Sequence, residues 1–281
     1  MDRIGIMQGR LTPAGGGLIQ TFPVGGWREE FPAARRAGLC CIEWIYGKET
    51  EMVNPLATDP GIAAIQALSH THGVSVESVC ADFFMAERLV RQDGSVNPKT
   101  LNHLTWLVQR AALLGVRYIV LPFVDSSALS GDGQVRGLME LLQGFLPAIE
   151  GDGVEIHLET DLPPDILGDL IADIRHPLLK ANYDIGNSAS LGRDPEEEFR
   201  YIGEFLGSVH VKDRVQGGGT VPLGSGDADF SVCFRLIGRA RFRGPYILQA
   251  ARDPSLGEID LAIKNRRFVE RYLAEIRGRQ G

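Results

Sequence analysis

Cysteine is scarce. The chain has four in 281 residues, Cys40, Cys41, Cys80 and Cys233, with no Cys-x-x-Cys pair among them. That spacing argues against a zinc knuckle or a disulfide scaffold, and the expectation is free, buried thiols in a reducing cytoplasm. Long apolar runs are missing too. None approaches the roughly 18 residues that span a bilayer, so no membrane segment is expected. The chain opens Met1-Asp2-Arg3-Ile4-Gly5-Ile6, directly into a strand-like pattern and without the regions of a signal peptide. Positive charge is in the minority. With 29 Lys+Arg against 36 Asp+Glu the net charge is −7, which argues against a duplex-DNA surface and a nucleic-acid partner. Three signatures are also absent: Gly-x-Gly-x-x-Gly after the first strand, a P-loop, and a Gly-x-Ser-x-Gly nucleophile turn. Dinucleotide binding, P-loop phosphoryl transfer and serine hydrolysis lose their main support.

What is present is the composition of a globular protein, 44% hydrophobic and 23% charged, long enough to bury a large core. Eight short apolar segments stand out: 4–8, 40–45, 74–82, 118–124, 154–160, 178–184, 208–212 and 246–250. They recur about every 35 residues, and each is followed by enough chain for a helix, as in a (β/α)₈ barrel. Helical periodicity is clear in Leu101-Leu104-Leu107-Val108-Ala111-Ala112 and from Leu261 to Ile276. Asn97-Pro98 and Asp194-Pro195 read as an N-cap followed by an N1 proline. Gly38, Gly73, Gly115, Gly153 and Gly244 stand just before strands, where helix C-caps belong. The expected fold is one α/β domain over residues 1–281, a closed (β/α)₈ TIM barrel. The tracts Gly15-Gly16-Gly17 and Gly217-Gly218-Gly219 would then lie in loops at the active-site mouth.

Side chains alternate between the faces of a strand. In the fifth segment Val154, Ile156 and Leu158 share one face, while Glu155, His157 and Glu159 share the other. The apolar set suits the helix layer, so the polar set should point into the barrel. The same alternation turns Glu43, Asp184, His210 and Gln249 inward near strand ends. Ordinary barrel interiors are filled by Val, Ile and Leu, and an unpaired buried charge is costly. Four strands carrying ionisable groups to one mouth therefore point to a divalent cation. Glu159, Asp184, His210 and Gln249 form an oxygen-rich set with one imidazole, which suits Mn²⁺ first, with Mg²⁺, Co²⁺ and Zn²⁺ as alternatives. Lys212, Arg214 and Arg252 could bind a phosphate or carboxylate; Gln8, Arg10 and Asp82 could contribute hydrogen bonds. His70 and His72 fall at the far end of the second helix, away from the mouth.

With these residues in view, the chain resembles the sugar phosphate isomerase/epimerase group of xylose-isomerase-like barrels, which includes ketose 3-epimerases, hydroxypyruvate isomerase and inosose dehydratase. The resemblance covers nearly the whole chain. It rests on Ile42-Glu43-Trp44, His157-Leu158-Glu159, Asp184-Ile185-Gly186 and Val209-His210-Val211-Lys212-Asp213-Arg214. Val221-Pro222-Leu223-Gly224-Ser225-Gly226 and Asp229-Phe230 complete it. It implies one divalent metal on Glu159, Asp184, His210 and the residue at 249, with Glu159 also the proton acceptor. It further implies a small carbohydrate substrate and proton abstraction beside a carbonyl through an ene-diolate; by their positions Glu43, Gln8, Asp82, Asn187, Lys212 and Arg214 are the candidate substrate contacts.

The chain departs from the family at two places. Gln249 stands where a second glutamate is usual, and Asn187 where a histidine commonly follows the strand-six Asp-x-Gly. An amide offers oxygen to a metal but cannot accept a proton as a carboxylate does. Aldose–ketose isomerisation, metal-assisted dehydration or lysis of a polyol-derived ketone, and non-catalytic sugar binding stay open beside epimerisation. An apurinic endonuclease of the same barrel type needs a histidine-rich site and a basic surface, and this chain has six histidines and a negative charge. Assembly as a homodimer or homotetramer is also left open.

Overall fold

The computed structural model describes residues 3–13 and 20–278. Eight parallel strands close a barrel: β1 (Ile4–Met7), β2 (Cys41–Ile45), β3 (Ser75–Cys80), β4 (Tyr118–Phe123), β5 (Glu155–Thr160), β6 (Leu179–Asp184), β7 (Leu206–Val211) and β10 (Tyr246–Leu248). β1 closes the ring by pairing with both β2 and β10. Two further strands, β8 (Asp213–Arg214) and β9 (Thr220–Val221), form an antiparallel hairpin beyond β7, and the Gly217–Gly219 tract lies between them. The helices are α1 (Glu30–Ala37), α2 (Asp59–His72), α3 (Phe83–Ala86), α4 (Pro98–Leu114), α5 (Gly131–Ala148), α6 (Pro164–Ile174), α7 (Ile185–Ser190), α8 (Pro195–Ile202), α9 (Phe230–Arg239) and α10 (Glu258–Gly278). Among the described residues no helix is long and apolar enough to cross a membrane.

Register explains the division of faces. Pro122 pairs with Glu159, Asp184 with His210, and His210 with Ile247, so these side chains share the inside of the ring. Ile156, Leu158, Val209 and Val211 point the other way and are fully buried against helices. In the helix layer, α4, which packs against β4, presents an apolar stripe of Leu104, Leu107, Val108 and Ala111, also without accessible surface. Burying a side chain of this size contributes about 1.5–3 kcal/mol, so this two-layer contact is the main source of barrel stability.

The helix ends follow local chemistry. The Asn97 and Asp194 side chains accept from Lys99 N and Glu196 N, capping α4 and α8, each with proline at the first turn. Gly38, Gly73, Gly115 and Gly153 all hold left-handed backbone at C-caps. Gly244 does not. α9 stops at Arg239, five residues earlier, and Arg241 takes the left-handed conformation (φ 55°), so Gly244 only joins the loop to β10. The Gly15-Gly16-Gly17 tract lies outside the described residues. All four cysteines are free thiols; Cys41, Cys80 and Cys233 are buried as expected, whereas Cys40, just before β2, is only partly so.

Candidate active site

Three neighbouring strands bring Glu159, Asp184 and His210 to the carboxyl end of the barrel. Each offers one ligand atom, and these atoms lie within 4.8 Å of one another, all on buried residues. His210 Nδ1 is 3.6 Å from Glu159 Oε2 and 3.8 Å from Asp184 Oδ2. The other ring nitrogen, Nε2, is 2.7 Å from Glu43 Oε1, and neither side chain reaches solvent. The carboxylate on Nε2 favours a proton there, so a bound cation would displace only the Nδ1 proton and take the lone pair directed at Glu159 and Asp184. Nδ1 has no hydrogen-bond partner.

Glu43 is thus the support of His210 and has no accessible atom with which to touch a substrate. His157, on the same inner face as Glu159, sits one layer deeper. Its ring bonds Ser208 and Glu155 at 2.9 Å each and stacks on Tyr118, so it belongs to a polar plug beneath the site.

Lysine 212, one residue beyond β7, turns back over the carboxylates. Its Nζ donates to Asp184 Oδ2 (3.3 Å) and Asn187 Oδ1 (3.0 Å). Arg214 Nη1 donates to the same Asn187 oxygen (2.9 Å), and its Nε to Gly218 O (3.1 Å). Asn187 Nδ2 donates to Glu159 Oε1 (2.7 Å). Asn187 therefore passes the orientation of two cations to Glu159. The Asp184 side chain accepts from Asn187 N (2.9 Å), capping α7 and setting that geometry. Gly186 is required here, because a Cβ would lie 2.9 Å from the Lys212 carbonyl carbon.

Electrostatics separate the two ligand carboxylates. Burial pushes Glu159 up to about 8; the charge of His210 opposes this and that of Asp184 adds to it. Asp184 also feels burial, but the Lys212 and His210 charges win and hold it well below the carboxylate range. Burial works against a charged His210 as well. Glu43, Asp184 and Glu159 outweigh it and hold the imidazole well above its ordinary value. A site that traps a proton among carboxylates has the charge balance a cation would satisfy.

Gln249 lies on the inner side of the β10 exit, 5% exposed. Its Nε2 donates to Gln20 Oε1 (2.7 Å), and Gln20 Nε2 donates to Asp82 Oδ2 (2.8 Å). This relay orients the Gln249 amide and leaves its Oε1 buried without a partner. Two buried atoms without partners, His210 Nδ1 and Gln249 Oε1, with the Glu159 and Asp184 carboxylates, fit a hard or borderline divalent cation. Gln8 has a different role: its Oε1 accepts from Ile45 N (3.0 Å) and ties the β1 exit to β2, with the side chain fully buried.

Two residues of this region carry no sequence signal for their roles. Gln20 lies far from any strand and is recruited only by folding. Asp213 stands in the strand-seven run, but only the structure shows it accepting from Gly224 N (2.8 Å), Gly226 N (2.9 Å) and Ala228 N (3.3 Å). It thereby shapes the Pro222–Gly226 loop beside the mouth.

A family model described as a xylose isomerase-like TIM barrel matches residues 31–272. The chain is 25% identical over 245 residues to the L-ribulose-5-phosphate 3-epimerase UlaE of Shigella flexneri serotype 5b, covering 82% of this chain and 85% of that protein. It is similar in fold to a solved L-ribulose 3-epimerase, with TM-score 0.74, 17% identity, and 100% and 97% of the two chains covered. It is also similar in fold to the IolI protein solved with a zinc atom, with TM-score 0.74, 14% identity, and 98% and 99% covered.

Proposed function

The chain belongs to the xylose isomerase-like TIM barrel family, and within it we propose a divalent-metal-dependent isomerase or epimerase acting on a small sugar or sugar phosphate. The observation that carries this is the buried triangle of Glu159, Asp184 and His210, with the unpartnered Gln249 oxygen at the exit of the neighbouring strand β10. The named activities of the sugar 3-epimerases it resembles support the substrate class.

A cation held by Glu159, Asp184, His210 and Gln249, Mn²⁺ first, would supply a Lewis acid for the substrate carbonyl and hydroxyl oxygens. The chain's own residues do the rest. Glu43 keeps the His210 proton on Nε2. Lys212 keeps Asp184 ionised. Glu159, with Oε1 fixed by Asn187, is the proton acceptor. Gln249 cannot carry one. That single observation favours a second reading in which one base suffices: aldose–ketose isomerisation, or dehydration of a polyol-derived ketone. The four unpaired thiols are in keeping with a reducing cytoplasm.

The test is elemental analysis of the purified protein, then solvent-deuterium exchange into C4–C6 ketoses, their phosphates and inososes with Mn²⁺ present. Exchange at a carbon beside the carbonyl is the expected result. Stoichiometric metal with no exchange into any of them would overturn the proton-transfer reading.

A further inference from the structure

Arg10 and Arg252 leave the carboxyl ends of β1 and β10, which are hydrogen-bonded neighbours, so both stand on the same side of the barrel mouth. Arg252 follows Gln249 by three residues. It is anchored: Nη1 donates to Thr12 O (2.9 Å), Nη2 donates to Gly9 O, and Glu258 lies 3.9 Å away. Its Nε is buried without a partner.

Arg10 is not anchored. It is 8% exposed, has no hydrogen bond or ion pair among the described residues, and both its Nε and Nη1 are buried without an acceptor. Burial and the charge of Arg252 pull its pKa down to about 10. Asp82 and Glu30 favour its charge only through space. The Glu30 Oε1 is committed to Gly9 N (2.8 Å) and Leu11 N (3.2 Å), and its Oε2 is buried without a partner and bonds neither arginine. Both arginines line a cavity of about 250 Å³ between β1, β10 and α10, with Ile6, Leu248 and Leu261 as its apolar wall, Asn265 as a neutral polar group, and Asp253 and Glu258 as acidic ones, Asp253 lying 3.7 Å from Lys264.

A buried guanidinium without a partner is not retained for stability; two side by side are worse. Between them they present three buried donor nitrogens with no acceptor. A planar carboxylate carries one charge and two oxygens, whereas a phosphate brings up to two charges and at least three oxygens to the guanidinium planes. The cations after β7 are not free for this role, since Lys212 and Arg214 are engaged with Asp184, Asn187 and Asp125.

We propose that Arg10 and Arg252 form a phosphate site at the carboxyl end of the barrel, in the cavity between β1, β10 and α10. It rests on the isomerase/epimerase reading only for the further step that the phosphate is carried by the substrate; recognition of the oxyanion itself does not.

The experiment titrates inorganic phosphate at constant ionic strength, with chloride as balance, into the full chain and Arg10→Met, reading Tm and calorimetric affinity. Wild type should gain Tm with phosphate. Arg10→Met should bind phosphate about tenfold to a hundredfold more weakly, while its phosphate-free Tm equals or exceeds that of wild type, because an unpaired buried charge has gone. Arg10→Lys, which keeps the charge but not the planar donor pair, should fall between. Equal affinity in Arg10→Met overturns the proposal. So does a wild-type Tm that phosphate moves no more than chloride, an outcome that needs no variant to fold. A ketopentose 5-phosphate and the unphosphorylated ketopentose then separate the sources. If the ratio of their KM values rises in Arg10→Met, the phosphate belongs to the substrate. If phosphate binding weakens and the ratio stays, the site takes the free anion. If no sugar is turned over, the functional reading fails while the phosphate titration still decides this one.

Discussion

His210 Nε2 and Glu43 Oε1 are 2.7 Å apart, and the carboxylate reaches the ring from a strand on the far side of the sequence, 167 residues away. The contact decides which nitrogen of His210 faces Glu159 and Asp184. In Glu43→Gln the amide can rotate and donate to Nε2, moving the ring proton to Nδ1, where it competes with a metal. Mn²⁺ affinity should fall about 10–100-fold, as for other partners of metal-bound histidines. Titration with Mn²⁺ checks this; unchanged affinity would mean that Glu43 does not set the tautomer. His210→Ala, which removes the donor itself, should lose the metal on dialysis, read by elemental analysis.

Glu159→Gln keeps an oxygen donor and removes the proton acceptor. Metal content should largely persist while exchange of the substrate C–H with solvent slows by about 10²–10⁴. Near-normal exchange in that variant would transfer the role to another carboxylate.

At position 249 the relay through Gln20 matters. Gln249→Glu adds a negative charge and should tighten Mn²⁺ binding, yet it also places a carboxylate against Gln20 Oε1. Gln20 can turn its amide to donate to Glu at 249 only by presenting oxygen to Asp82. The combined variant Gln249→Glu with Asp82→Asn restores donor–acceptor order along the relay. It should therefore have a higher Tm than Gln249→Glu alone, with Mn²⁺ affinity at least as high. Equal Tm values would show that the relay carries no energetic weight.

Glu30, fully buried, supplies a pH dependence. Burial raises its carboxyl to about 7, against the hydrogen bonds from Leu11 N and Gly9 N. The folded chain therefore holds this proton above the pH at which the unfolded chain releases it. The stabilisation is complete below the ordinary carboxylate range and is lost as pH rises toward 7, at up to about 1.4 kcal/mol per pH unit. Urea unfolding of wild type and Glu30→Gln at pH 5 and 7.5 isolates the term. The wild type should lose more stability than the variant across that interval; parallel losses would remove Glu30 from the account.

Much of this protein is decided by local pattern. Strand alternation is a period-two property of the backbone, so Val154, Ile156 and Leu158 could be assigned outward and Glu159 inward from sequence, and the register agrees. The caps at Asn97 and Asp194 involve residues two positions apart and were legible for the same reason. Pairing across the mouth is another matter. Glu43, Lys212 and Arg214 read alike in sequence as substrate contacts, yet Glu43 is spent on His210, Lys212 on Asp184 and Arg214 on Asn187. Gln20 reaches Gln249 across 229 residues, and Arg10 is singled out only by the partners it lacks. A strand's sequence determines which face a side chain leaves from, because that depends on its own backbone. Which charge it meets depends on how the closed ring places loops from distant strands, and only the tertiary structure decides that.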